Sequence, residues 1–371
     1  MDFALPPDVA ALQTEAVEVA RRAADDRPVK EDAWIIGHSP EFSAELGERG
    51  WLGMTWPTEF GGGGRSPLER FVMVKALISN GAPMTSSWMA DRQIGPSLFN
   101  YGTDEQRHLF LPGILDGTAM WGIGMSEPDA GSDVAAIRTS AVRDGDVFVV
   151  NGQKIWTSGA ADADWLYLVA RTSTEGRPHE GLSDLIVDMH SDGITVKPIL
   201  DMTANRHFCE VFFEDVRVPV ENLVGDLNGS FKQVMRQMEH ERGGIDRLVS
   251  NRALYRDTLE RLDGGSPLHR QAVARFETGY TIGRHMVLRE VMGQAPPGWS
   301  AITKTFCTEM EIEVADWCGA VAGAETMLAN RISRAITYAP GYTIQGGTTQ
   351  VLRNIMGERI LGLPREPRGA G

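Results

Sequence analysis

The residue pattern of this chain changes period twice, and no other feature narrows its fold as far. Up to about residue 120 the apolar residues fall at helical spacing; Val9, Leu12, Ala16 and Val19 form one stripe of an amphipathic helix. Short runs rich in Val, Ile, Leu and aromatics then take over: Asp146 to Val150, Trp165 to Ala170, Ser183 to Met189, Ile194 to Lys197 and Val211 to Val218. Gly, Asp and Pro turns separate them, which is the spacing of a compact β domain. Helical spacing returns at Gly229, where Phe231, Val234, Met238 and Ile245 line one face. The expectation is an α+β multidomain chain. It has an N-terminal α-helical domain over 1–120, a middle β-barrel or sandwich over 121–222, and a C-terminal four-helix bundle over 223–371. Within the first part, Thr103 reads as a helix N-cap and Gly61–Gly64 as a hard break.

The formal net charge of -14 argues against nucleic acid or an anionic membrane surface as main partner. No apolar run approaches the roughly 20 residues of a membrane span, and no basic segment leads into an apolar one at the N-terminus. Cys209, Cys307 and Cys318 are widely spaced, with no CxxC or metal-ligand pattern, and read as reduced core thiols. The expected setting is cytoplasmic.

Two glycine-rich stretches sit at the start of the β region, Trp121–Asp133 and Asn151–Gly159. Ser126, Ser132 and Ser158 offer hydroxyls, and Trp156 offers a flat face. Either stretch alone is compatible with an ordinary loop. Together the inventory suits a planar, polar-edged ring with a phosphate-bearing tail. Far downstream, Ala339–Gln350 is a turn-rich lead into the last helix. Thr348 is its N-cap, and backbone N–H groups at a helix start favour a phosphate.

In this order the motifs resemble the acyl-CoA dehydrogenases over nearly the whole chain. Gly50–Gly64, the helix-forming Tyr101–Gly113, the two glycine-rich stretches and Phe213–Pro219 carry the resemblance. It implies FAD, with Ile123, Met125 and Ser126 lining the ring. Trp156 would stack on the ring, Thr157 would sit beside it, and Ser158 would hydrogen-bond near N5. Thr348, Thr349 and Gln350 would touch the phosphate side. It also implies an acyl-CoA substrate, with Ser132, Arg242 and Gly346 as its contacts. An electron-transfer flavoprotein would accept the electrons, and the chain would form a homodimer or homotetramer.

Desaturating an acyl thioester requires a carboxylate beside the α-carbon, in a pocket dry enough to raise its pKa. In most of the family that glutamate precedes the Gly-Thr of the last loop. Here the position is Gly346, which cannot act as a base. A second branch, including the isovaleryl and long-chain enzymes, places its glutamate on the first long helix after the β domain. By that resemblance the base is Glu241. Residue geometry agrees, because at about 100° per residue Glu241 and Arg242 straddle the apolar stripe. A plain ion pair of the Glu241–Arg242 type is the other reading of those two residues. Arg242 is then either that partner or a contact for the thioester arm. Gly243-Gly244 follows and weakens or kinks the helix.

The same combination resembles the branch acting on CoA thioesters of steroid side chains, some members of which are α2β2 heterotetramers of two unlike chains. Two family segments that hold the ADP half of FAD, Arg-x-x-Phe-Gly and Gln-x-x-Gly-Gly, are missing. Leu262–Leu268 and Asp316–Ala320 stand in their places. A carboxylate facing a pyrophosphate is repulsive, so an unlike partner chain or an altered FAD grip follows. Two alternatives to the dehydrogenase remain: a non-catalytic subunit supporting an active partner, and a flavin oxidase or monooxygenase on the same fold.

Overall fold

The computed structural model of the chain describes residues 4–262, 264 and 266–365, with the side chains of 236–241 outside the described residues. The chain forms two compact units. One gathers 1–33, 66–82 and 238–371; the other holds 34–65 and 83–237.

The first unit is helical. Its opening helix, Pro7–Ala23, has proline in the first turn with Asp8 beside it, and Arg21 and Arg22 in the last turn, charges that suit the helix dipole at both ends. The expected stripe is the buried one: Val9, Leu12, Ala16 and Val19 all face the interior. That face packs on the helix Pro67–Ser79, which a complete capping box between Ser66 and Glu69 starts. Two long helices, Pro267–Val291 and Trp299–Ala322, lie side by side. A Cβ at Gly283 would lie 2.6 Å from a methyl of Leu248, so only glycine admits that approach. Cys307 and Cys318 are buried, unbridged thiols, as is Cys209 in the other unit.

The second unit is built on one eight-stranded mixed sheet. Its strands are β1 (Trp121–Gly124), β2 (Ser140–Asp144), β3 (Val147–Ser158), β4 (Trp165–Arg171), β5 (Leu182–Asp188), β6 (Ile194–Ile199), β7 (Phe208–Pro219) and β8 (Leu223–Val224). They run β6-β7-β3-β2-β4-β5-β8, and β1 pairs with β4. Every strand expected from the sequence is present. β1, β2 and β8 were not expected, and β3 continues through Asn151 to Ser158, in a stretch that the sequence reads as a turn. One face buries Val150, Leu166, Leu185, Val187, Val211 and Val216. On the other, Phe110 of the helix Asp104–Leu115 meets Trp121 and Trp165 at centroid distances of 5.5 and 5.0 Å. That helix is fixed at its start. Thr103 caps it reciprocally with Gln106, whose side-chain amide also donates to the carbonyls of Glu221 (2.6 Å) and Leu223 (2.8 Å). Among the described residues no helix is long and apolar enough to cross a membrane.

Asp184 on β5 is fully buried and accepts hydrogen bonds from the Tyr167 hydroxyl (2.9 Å) and from Ser230. Burial pushes its pKa up to about 7, although both donors pull the other way. A carboxyl raised on folding adds stability below its unfolded pKa, and that stability is lost as pH rises through about 7. The melting temperature should therefore fall as pH rises from about 3.8 to about 7. Asp184→Asn should make that slope shallower. Asp32 in the helical unit, also raised to about 7, keeps it from vanishing. Thermal scans across that range giving the same slope for both proteins would rule this out.

Candidate active site

In the sheet unit, the candidates gather where β1 ends and β3 bulges. The segment after β1, Met125-Ser126-Glu127, is tied down from below by Lys154 on β3. This lysine is fully buried, and its Nζ donates to the Met125 carbonyl (3.0 Å) and to Glu127 Oε1 (2.8 Å). Glu127 also accepts the backbone N–H groups of Arg138 (2.6 Å) and Thr139 (2.8 Å). Ile155 N–H donates to the Ser126 carbonyl at 2.9 Å. Burial pushes the Lys154 ammonium down to about 8 against the pull of Glu127. Glu127 is pushed up by burial, yet Lys154 and the surrounding donors outweigh this and hold it below the ordinary carboxylate range.

Two register shifts interrupt the pairing of β3 with β7, between Val150 and Gly152 and between Lys154 and Thr157. Trp156 falls in the second. Its φ is +61°, a left-handed backbone that a bulky residue adopts only where its surroundings impose it. The bulge turns the indole outward: it is 54% exposed, with Phe208 edge-on at 5.7 Å. Next to it, the buried Thr157 Oγ1 has no hydrogen-bond partner among the described residues. Ile123, Met125, Ser126 and Ser158 are half-buried. Ser132 stands apart, exposed beyond the Glu127–Ala130 bridge. Directly after Ser158 opens a cleft of about 230 Å³, with Thr85, Met120, Gly159, Asp162, Arg206 and His207 among its walls. Apart from Gly159, which ends the second glycine-rich stretch, none of these was a sequence candidate; they come from separate segments with no shared motif.

In the helical unit, the helix Ser230–Arg242 ends at Arg242. The expected single stripe through Ile245 is therefore broken. Ile245 is buried, but it belongs to the next turn, ahead of the helix Asp246–Val249. Gly243 lies against Glu290, whose Oε1 would be 2.1 Å from a Cβ there, so a side chain at 243 would have to displace that carboxylate. Arg242 is 5% exposed, and its Nε donates to the Gly346 carbonyl at 3.1 Å, so these two substrate candidates do meet. Glu241 is the penultimate residue of that helix, and its side chain lies outside the described residues.

Gly346 and Gly347 have φ of +66° and +95°, so the position at which the resemblance looks for a glutamate is here a left-handed turn. Thr348 caps the helix Thr349–Ile355 by accepting the Val351 N–H at 3.2 Å. Thr349 is buried beside it and Gln350 is exposed. The turn is also held by Lys304, a fully buried residue that the sequence reading passed over.

Family models match in three consecutive pieces: acyl-CoA dehydrogenase N-terminal domain over residues 7–118, middle domain over 122–216 and C-terminal domain over 229–361. The acyl-CoA dehydrogenase FadE26 of Mycobacterium tuberculosis is 34% identical over 358 residues, 88% of each chain. The acyl-CoA dehydrogenase IpdE1 of the same organism is 32% identical over 343 residues, covering 88% of this chain and 89% of its own. Among solved structures, the Tcur3481-Tcur3483 steroid ACAD superposes with a TM-score of 0.89 at 31% identity, covering 99% of this chain and 100% of that one. The ChsE4-ChsE5 complex of M. tuberculosis gives 0.86 at 32%, with the same coverage. With its N-terminal helical, middle β-sheet and C-terminal helical domains, the chain belongs to the acyl-CoA dehydrogenase family of flavoprotein oxidoreductases acting on acyl-CoA.

Proposed function

We propose that this chain uses FAD to dehydrogenate an acyl-CoA thioester between its α and β carbons, and that an electron-transfer flavoprotein takes the electrons. The observation that carries the reading is the Trp156 bulge, where a half-exposed indole at φ +61° adjoins an orphaned Thr157 hydroxyl and the hydroxyl-bearing Ser158. A flat face with unspent hydroxyls beside it fits the isoalloxazine ring. Ile123, Met125 and Ser126 would line that ring, and Thr348, Thr349 and Gln350 would take the phosphate side. FAD supplies the acceptor for the β-hydride.

The chain's own work is to bind, orient and move one proton. Glu241 takes the α-proton. Gly346, in its left-handed turn, carries no group that could do so. Arg242, buried on the Gly346 carbonyl, and Ser132 would hold the thioester arm. Trp156→Ala should weaken FAD binding by about tenfold, the worth of one stacked aromatic pair. Titration of the apoprotein with FAD giving an unchanged Kd would show the stacking assignment to be wrong.

For the substrate we favour a CoA thioester of a steroid side chain, since the Tcur3481-Tcur3483 steroid ACAD matches along its full length. An α2β2 assembly with an unlike homologous chain is the second reading. Asp316 favours it, because it presents an exposed carboxylate where a neighbour's pyrophosphate would need a neutral donor. The deciding experiment is anaerobic flavin bleaching by short, branched, long and steroidal acyl-CoAs, with the chain alone and with candidate partners. Bleaching by the steroidal thioester is expected. Loss of colour with none of them, in any assembly, would refute the dehydrogenase reading.

A further inference from the structure

Lys304 sits in the second turn of the helix Trp299–Ala322, with no exposed surface. Its ammonium donates to the carbonyls of Tyr342 (3.1 Å) and Gly347 (2.7 Å). A buried charge is expensive to keep, so what it holds is informative. Those two carbonyls bracket the turn 343–346, and one cation therefore grips both ends of it. The two ends differ in their other anchors. At the first, the Tyr342 hydroxyl donates to Asp32 Oδ1 (2.6 Å) and lies 3.2 Å from Asn251 Oδ1. At the second, two consecutive glycines at φ +66° and +95° have little conformational preference of their own.

Arg242 rests against that second end. Its Nε donates to the Gly346 carbonyl at 3.1 Å, and a Cβ on Gly347 would lie 3.1 Å from its Nη2. The placement of the two glycines thus fixes where the guanidinium lies. Arg242 closes the helix whose penultimate residue is Glu241.

We infer that Lys304 is a positioning residue for the dehydrogenation. By holding the Gly347 carbonyl it sets the turn against which Arg242 is seated, and so keeps the end of that helix in reacting register. This rests on the reading of Glu241 and Arg242 given above. A displacement of about 1 Å at a reacting centre is enough to cost up to ~100-fold in rate.

The test uses the flavin-loaded protein, in whichever assembly is bleached, with Lys304→Met and Lys304→Gln beside the native chain. Lys304→Met should keep its flavin and its melting transition. It should lower the saturated bleaching rate by about 30-fold while changing the apparent KM by less than about threefold. Lys304→Gln, which retains an amide donor, should fall between the two. In an Arg242→Ala background the same Lys304→Met change should cost less than about threefold, because its route of action is already gone. A rate within about twofold of native for folded Lys304→Met would overturn the proposal. So would a full loss persisting in the Arg242→Ala background, or a failure of both variants to fold, which would make Lys304 a support of the bundle instead. Glu241→Gln, measured alongside, reports the base assignment separately: activity there sinks that assignment without touching the non-additivity of Lys304 and Arg242.

Discussion

Exchanging Glu241 for glutamine should leave a yellow protein that substrate no longer bleaches, with the rate down by about 10³-fold, the usual worth of a positioned general base. The amide keeps the shape of the side chain and cannot accept a proton. Glutamate and glutamine are nearly equal helix formers, so the helix Ser230–Arg242 should stand in both. Substrate binding should survive, because the proposed contacts Ser132, Arg242 and Gly346 are untouched. The measurement is anaerobic single-turnover bleaching at saturating acyl-CoA, with flavin content determined beforehand. Near-native bleaching by that variant would remove Glu241 from the mechanism.

Lys154→Met is expected to be the most destabilising single change in the sheet unit, at about 3–5 kcal/mol. Methionine fills much the same space, so the loss is one of charge. Glu127, 8% exposed, would keep its carboxylate in the interior with the ammonium gone. The Arg138 and Thr139 N–H groups would remain its donors, too few to replace a cation. Adding Glu127→Gln should recover part of the loss, since its amide oxygen still accepts one of those N–H groups and the side chain carries no charge. Urea unfolding of the two variants and the native chain reads this directly. A midpoint shift worth less than about 1 kcal/mol in the single variant would show the pair to be a spectator.

How much of this was legible depends on the range of each contact. Local signals read well. The Val9–Leu12–Ala16–Val19 stripe is buried as spaced, and Thr103 caps its helix through neighbours three residues away. The strands at Trp165 and Ser183 carry their own apolar runs. Features set by distant pairing did not read. Asn151–Gly159 has the composition of a turn, yet β7 pairs with it and makes it strand. Trp156 acquires its left-handed backbone from that same pairing, so nothing in its neighbours announces it. β2 is short and half polar, and Ser140–Asp144 is recognisable only from the partner beside it.

Two buried lysines do carry a local signal. Lys154 falls on the inward parity of β3 with Phe148 and Val150, where a cation needs an acid. Lys304 sits among Ala301, Thr305, Cys307 and Thr308 on the buried side of its helix, where a cation equally needs a partner. The proposal of Glu241 as base rests on helical phase combined with the family's second pattern, since phase alone also fits an ion pair.

The two buried lysines share a habit with a practical outcome. Each grips main-chain oxygen: Lys154 the carbonyl of Met125, Lys304 those of Tyr342 and Gly347. A carbonyl is present whatever side chain its residue bears. At residue 125, and likewise at 343 to 345, a change of side chain leaves in place the main-chain oxygens that the lysines hold at or beside those positions. Chain path and side chain are set by different atoms, so substitutions at 125 or at 343 to 345 that leave both lysines alone should preserve the melting transition.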